Sequence, residues 1–134
     1  MNYKVESVFT YKGMKCVVVG LSRGHRCGYV KIDNPTKEMI EAPYELDYKV
    51  HGGIAYGEYN KEYPIKIKKE AYWLGFDCAH YGDAIDGTLI RELNNEEIVP
   101  LMLIDMSSIS DTVKDTNYVK DELIHLVNQI KKRR

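Results

Sequence analysis

Between positions 75 and 83 the chain reads GFDCAHYGD, which puts Asp77, Cys78, His80 and Asp83 within seven positions. Carboxylates and imidazoles at that density suit general acid–base catalysis or a divalent cation, and a thiol adds a nucleophile. Asp77, His80 and Asp83 form a D-x-x-H-x-x-D series of metal-ligand type. A single strand would not keep all three on one side, and no HExxH, EF-hand or Walker pattern accompanies them. The same residues have a plainer use. Asp77 would accept backbone N–H bonds at a strand end, His80 would close a turn and Asp83 would start a helix.

Two other stretches carry similar groups. VHGGIAY at 50–56 sets His51 beside the pair Gly52 and Gly53, and SRGHRCGY at 22–29 gathers Arg23, His25 and Arg26 around Gly24. Guanidinium and backbone donors in a turn can hold a phosphate. The second stretch lacks P-loop glycine spacing, and arginines in a hairpin turn are ordinarily solvated.

These residues must be positioned by the elements around them. KVESVFTY, MKCVVVG and RCGYVKI, separated by the turn signals YKG and SRGH, predict a three-strand meander that ends at DNPT. Residues 36–49, interrupted by Pro43, read as a crossing loop with one helical turn. VHGGIAYGE and AYWLGFDCA read as two further strands, joined by an exposed excursion, YNKEYPIKIKKE. DGTLIRELNNEEIVPLMLIDM reads as a short helix or an edge strand. In DTNYVKDELIHLVNQIKKRR the apolar residues Val119, Leu123, Leu126, Val127 and Ile130 recur at helical spacing. Asp115 or Thr116 would cap that helix, and the basic end suits its dipole. The expected fold is α+β: an antiparallel sheet of about five strands with a C-terminal amphipathic helix packed on one face, forming a single domain over 1–134.

Alternation along 71–78 puts Tyr72, Leu74, Phe76 and Cys78 on one face and Trp73, Gly75 and Asp77 on the other. Cys78 then reads as a small buried hydrophobe, since a reactive thiol needs an exposed, electropositive setting. If His51, Gly53 and Ala55 face the same side as Trp73 and Asp77, they form a shallow floor with an indole wall. The glycines would let a ligand approach the backbone there.

Composition narrows the partners. Hydrophobic residues at 44% and charged residues at 29% describe a globular chain, not a disordered or membrane one. Nineteen basic against twenty acidic side chains give a net charge of −1, so a nucleic-acid duplex is not an expected partner, and no apolar run is long enough for a membrane. Three cysteines without a CxxC pair predict reduced thiols, and MNYKVESVFTYKG, which has no continuous apolar signal-peptide core, makes the cytoplasm the expected location. Eleven tyrosines against two phenylalanines suit ligand-facing surfaces, and equally suit ordinary strands.

The segments RCGYVKI at 26–32, VHGGIAY at 50–56, YWLGFDCAHYGD at 72–83 and NYVKDELIHLVNQI at 117–130 together resemble a family of small proteins common in bacteriophage and prophage genomes. Its members show an R-C-G-Y-V segment, an H-G-G-hydrophobic-T/A-Y/F segment, a W-hydrophobic-G-F-D-C-A-H-x-G-D segment and a closing helix introduced by Y-V. The chain departs from that pattern at Ala55, where Thr is common, and at Leu74, where a second aromatic is common. The resemblance implies a setting more readily than a reaction.

In that setting, interference with host immunity through a nucleotide second messenger is the expected task. The ligand would be a cyclic oligonucleotide or a cyclic ADP-ribose. As a sponge, the protein would stack the bases on Trp73 and Tyr29, pair phosphate with Arg26, and hold the ligand with His51, Gly52, Gly53, Asp77, His80 and Asp83, often at the interface of a homo-oligomer. As a hydrolase of a phosphodiester or glycosidic bond, the alternative to the sponge, it would use His51 and His80 as acid and base with Asp77 or Asp83 orienting one imidazole and Arg26 steadying the phosphate, or a metal held by His80 and the aspartates. As an inhibitor of a host protein, it would spread tyrosine anchors over an exposed surface.

Overall fold

Lys12 and Gly13 have φ values of 49° and 80°, the two positive values that a type I′ hairpin turn requires. They join β1 (Tyr3–Tyr11) to β2 (Met14–Leu21), and a turn through Gly24 returns the chain as β3 (Arg26–Ile32). The helix α1 (Lys37–Glu41), capped by the Thr36 side chain, and a 3-10 turn at Pro43–Glu45 then carry it to the far edge. There β4 (Tyr56–Asn60) starts, and β5 (Ala71–Asp77) inserts between β3 and β4. The strand order is β1-β2-β3-β5-β4, with every neighbouring pair antiparallel. Among the described residues two further helices follow, α2 (Gly87–Asn94) and α3 (Thr116–Lys132).

The structure is a computed structural model that describes residues 2–80, 82–94 and 112–133. The segment expected to hold a short helix or edge strand is helical at α2, and its remainder lies outside the described residues. Among the described residues, no helix is long and apolar enough to cross a membrane.

The helix α3 packs on the sheet as its spacing predicts. Asp115 is the cap, its carboxylate accepting the Tyr118 N–H at 2.8 Å. Val119, Leu123, Leu126, Val127 and Ile130 are fully buried against Cys16, Val18, Val30, Leu74, Phe76 and Cys78. Burying each such aliphatic side chain contributes about 1.5–3 kcal/mol, so this seam fixes where α3 lies. The alternation read from 71–78 is observed, with Tyr72, Leu74, Phe76 and Cys78 all on the α3 side.

Three expectations need correction. First, 50–55 is not a strand. Gly53 N–H donates to the Val50 carbonyl at 2.8 Å, and Gly52 and Gly53 sit at φ 69° and 79°. Two consecutive left-handed residues cannot extend a strand, and the pattern is a tight turn with glycine at its third position. Second, the excursion after β4 is not simply exposed, because Tyr63, Ile65 and Ile67 pack over Val17, Val19, Cys27, Tyr29 and Trp73. Third, Trp73 therefore does not wall a site floor. It is 0% exposed on the face opposite α3, and its indole N–H points at the Asn60 carbonyl at 3.3 Å.

Candidate functional site

Three loops meet at the α3 end of β5. The first is the turn at 50–53. The second is the chain leaving β5, where Cys78 N–H donates to the Arg26 carbonyl at 2.9 Å and Asp83 N–H to the His80 carbonyl at 2.9 Å. The third leads into α3. Thr112 forms a parallel bridge with Asp83, through Thr112 N–H to the Gly82 carbonyl at 3.1 Å and Ala84 N–H to the Thr112 carbonyl at 2.9 Å.

Asp83 lies at the centre of this junction, its side chain only 2% exposed. Its Oδ2 stands 2.9 Å from His51 Nε2, accepts the His80 backbone N–H at 3.0 Å, and lies 3.5 Å from His80 Nδ1. Its Oδ1 lies 3.3 Å from Lys114 Nζ. Burial by itself would raise the Asp83 carboxyl. The hydrogen bonds from His51 and the His80 backbone, with Lys114 beside them, outweigh burial and hold it below its ordinary value. Asp83 is thus a carboxylate that only accepts, and His51 Nε2 carries the proton between them.

That assignment fixes the other side of the ring. His51 Nδ1 is 2.8 Å from the Tyr118 hydroxyl, which donates to it when the imidazole is neutral. The His51 backbone N–H donates to Glu122 Oε1 at 2.8 Å. Tyr118 and Glu122 stand four residues apart on α3 and so share one helix face. The Tyr118 hydroxyl is pushed up from its ordinary value, by burial first and then by the nearby Glu122 charge, and remains protonated at neutral pH.

His80 is the accessible member. Its side chain is 40% exposed, with Nε2 3.4 Å from Asp77 Oδ1. Its ring centroid is 5.6 Å from that of His51. Gly52 is what admits it: a Cβ there would stand 2.2 Å from His80 Cε1. Gly52 therefore makes room for the imidazole and not for a ligand, whereas Gly53 has open space around it.

No family model, curated protein or solved structure matches this chain. What the junction can do follows from its own atoms.

Of the residues singled out in the sequence, His51, Gly52, Asp77, His80 and Asp83 converge here, with Gly53 in the same turn. Arg26, Tyr29 and Trp73 do not. Arg26 is buried and held by Glu6, with Nε 2.5 Å from Oε1, and by Asp86, with an Nη 2.9 Å from Oδ2, so it has no arm to offer a phosphate. Tyr29 lies with Trp73 on the opposite face, its hydroxyl 2.5 Å from that of Tyr63. The stacking floor expected from pairing 50–56 with β5 is therefore absent, because 50–53 turns out of the sheet and Trp73 faces away. Cys78 is 1% exposed and pushed up to about 12 by burial, a structural thiol.

Tyr118, Glu122 and Lys114 were not read as site residues. A signal for the first two was present: their i, i+4 spacing lies off the apolar stripe, at the start of the helix that must cover β5. Lys114 had none, because only the bridge between Asp83 and Thr112 brings it near.

Proposed function

We propose that the protein hydrolyses a phosphodiester in a small nucleotide-like ligand, of the kind used as a host immune messenger, at the junction of His51, His80 and Asp83. The observation that carries this reading is that one buried carboxylate oxygen, Asp83 Oδ2, lies within 3.5 Å of a ring nitrogen of each of two histidines. Groups that bind and move protons are gathered there, while the aromatic faces that a passive sponge would use are buried across the sheet. The ligand class rests on the resemblance to phage-encoded proteins. The chemistry rests on the junction.

In this reading, water activated beside the imidazoles adds to phosphorus. The P–O ester bond breaks, and the departing oxygen takes up the proton that the water gave up. The product is a linear phosphomonoester with a free hydroxyl. Lys114, beside Asp83, offsets the charge that develops on the phosphoryl oxygens. Tyr118 and Asp83 fix the His51 ring from both sides, and Asp77 steadies the outer nitrogen of His80.

The test is incubation of the purified protein with a panel of cyclic oligonucleotides and cyclic ADP-ribose isomers, followed by chromatography and mass spectrometry before and after heating. A linear product that disappears in His51→Ala and His80→Ala is the expected result. Release of an intact ligand on heating would instead make the protein a sponge, and no binding or conversion would end the nucleotide reading.

A further inference from the structure

We propose that His51, His80 and Asp83 form a three-ligand site for a divalent first-row transition ion of the zinc class. The role given to the ion, activation of water, rests on the hydrolytic reading above; its coordination does not. One donor atom from each of the three residues lies within 4.8 Å of the other two. The closer separations are 2.9 Å from Asp83 Oδ2 to His51 Nε2 and 3.5 Å from Asp83 Oδ2 to His80 Nδ1. Ligands about 2.0–2.1 Å from a tetrahedral ion stand about 3.3 Å from one another. The two separations from Asp83 bracket that spacing, and the wider group stays within 4.8 Å, so the side chains need to close only modestly to hold an ion.

Each ligand also has an outer partner, as metal ligands usually do. His51 presents Nε2 inward while Nδ1 meets the Tyr118 hydroxyl at 2.8 Å. On binding, the ion displaces the Nε2 proton, and Nδ1–H becomes a donor to Tyr118. His80 presents Nδ1 inward while Nε2 faces Asp77 at 3.4 Å. Asp83 offers Oδ2 while its other oxygen is held by Lys114 at 3.3 Å. The Lys114 charge opposes a cation, but it sits on the outer carboxylate oxygen, away from the ring nitrogens. Two imidazoles and one carboxylate favour transition ions over magnesium or calcium, which prefer all-oxygen shells. Three protein ligands with an exposed His80 leave a coordination position for water, as in a catalytic and not a structural zinc site. Such an ion brings bound water toward neutral titration.

The experiment uses the untagged chain, stripped with EDTA and exchanged into chelator-free buffer. Zinc is then titrated by calorimetry, and cobalt(II) by visible absorption. The expected result is one ion per chain, with affinity reduced at least tenfold in His80→Ala and Asp83→Asn, and about 10–100-fold in Tyr118→Phe through the outer partner alone. His80 is exposed enough for its alanine variant to keep the fold, which circular dichroism checks. Failure to bind a stoichiometric ion, or binding unchanged in His80→Ala, overturns the site. The two readings fail separately. Cleavage that survives EDTA removes the ion's role in activating water and keeps the hydrolase, while a stoichiometric ion with no cleavage keeps the site and removes the hydrolase.

Discussion

His51 Nε2 and Asp83 Oδ2 stand 2.9 Å apart although 32 positions of sequence separate them. The contact joins a turn that precedes β4 to a turn that follows β5. It exists because β4 and β5 are neighbours and Tyr118 and Glu122 of α3 hold the first turn from its other side.

The fit of His80 against Gly52 predicts a difference between two adjacent glycines. An L-residue in the left-handed region costs about 1–2 kcal/mol, and both Gly52 and Gly53 lie there. Gly53→Ala should lose only that amount. Gly52→Ala should lose more and also displace His80, lowering zinc affinity or turnover while Gly53→Ala leaves them near wild type. Urea midpoints and a zinc titration of both variants check this; equal losses would mean that His80 does not depend on Gly52.

Trp73 should matter for stability and not for the site. Full truncation of a buried Trp costs about 3–5 kcal/mol, and Trp73→Phe should cost a fraction of that. Ligand or zinc affinity should be unchanged in Trp73→Phe. As the single Trp of the chain, buried at 0% exposure, it should emit at short wavelength and resist quenching by iodide. An affinity loss without a fold change would return the indole to the site.

Arg26 sits between Glu6 and Asp86 with its side chain 8% exposed. Arg26→Met would leave two carboxylates facing each other without their cation. Removing one partner of a buried ionic group costs about 3–5 kcal/mol, so the variant should unfold at a clearly lower urea concentration. Arg26→Lys should recover only part, because an ammonium cannot reach both carboxylates as a fork does. A Met variant as stable as wild type would show that the three charges do not depend on one another.

Alkaline solution should weaken the fold through its thiols. Burial pushes Cys16 up to about 12 and Cys27 up to about 11, from 9.0. Both folded values are raised, so unfolded chains lose these protons first. The associated stability is complete below about pH 9 and declines as pH rises toward 11–12. By pH 10.5 the loss should be about 1–2 kcal/mol per thiol. Urea midpoints from pH 8 to 10.5 test it, and a Cys16→Ala/Cys27→Ala double variant should show a shallower slope. Iodoacetamide at neutral pH should leave the native thiols unmodified.

Much of the architecture was legible because it follows from period. The YKG turn, the alternation of Tyr72, Leu74, Phe76 and Cys78, and the stripe from Val119 to Ile130 each repeat a local rule that tertiary contacts reinforce. The second covered face also left a trace: CVVV in β2 is apolar without alternation, as expected of a strand buried on both sides, and Cys16, Val17, Val18 and Val19 are all 0% exposed. The placement of His51 was not legible. VHGGIAY has the composition of a strand, and only the positive φ of two successive glycines turns it out of the sheet. Which face Trp73 shares with which loop depends on pairing between distant segments, and that is not written in any one of them.

The helix α3 carries two patterns on one rigid rod, an apolar stripe that seats it on the sheet and a pair, Tyr118 and Glu122, that grips His51. Each helical residue turns the rod by about 100°, so their angular relation is set by the count of residues between them. Tyr118→Phe would drop one hydrogen bond to His51 and leave the helix seated on the sheet. One residue inserted between Tyr118 and Leu123 would instead leave the helix a choice between its seat and its grip. In this segment, spacing is a stricter requirement than identity.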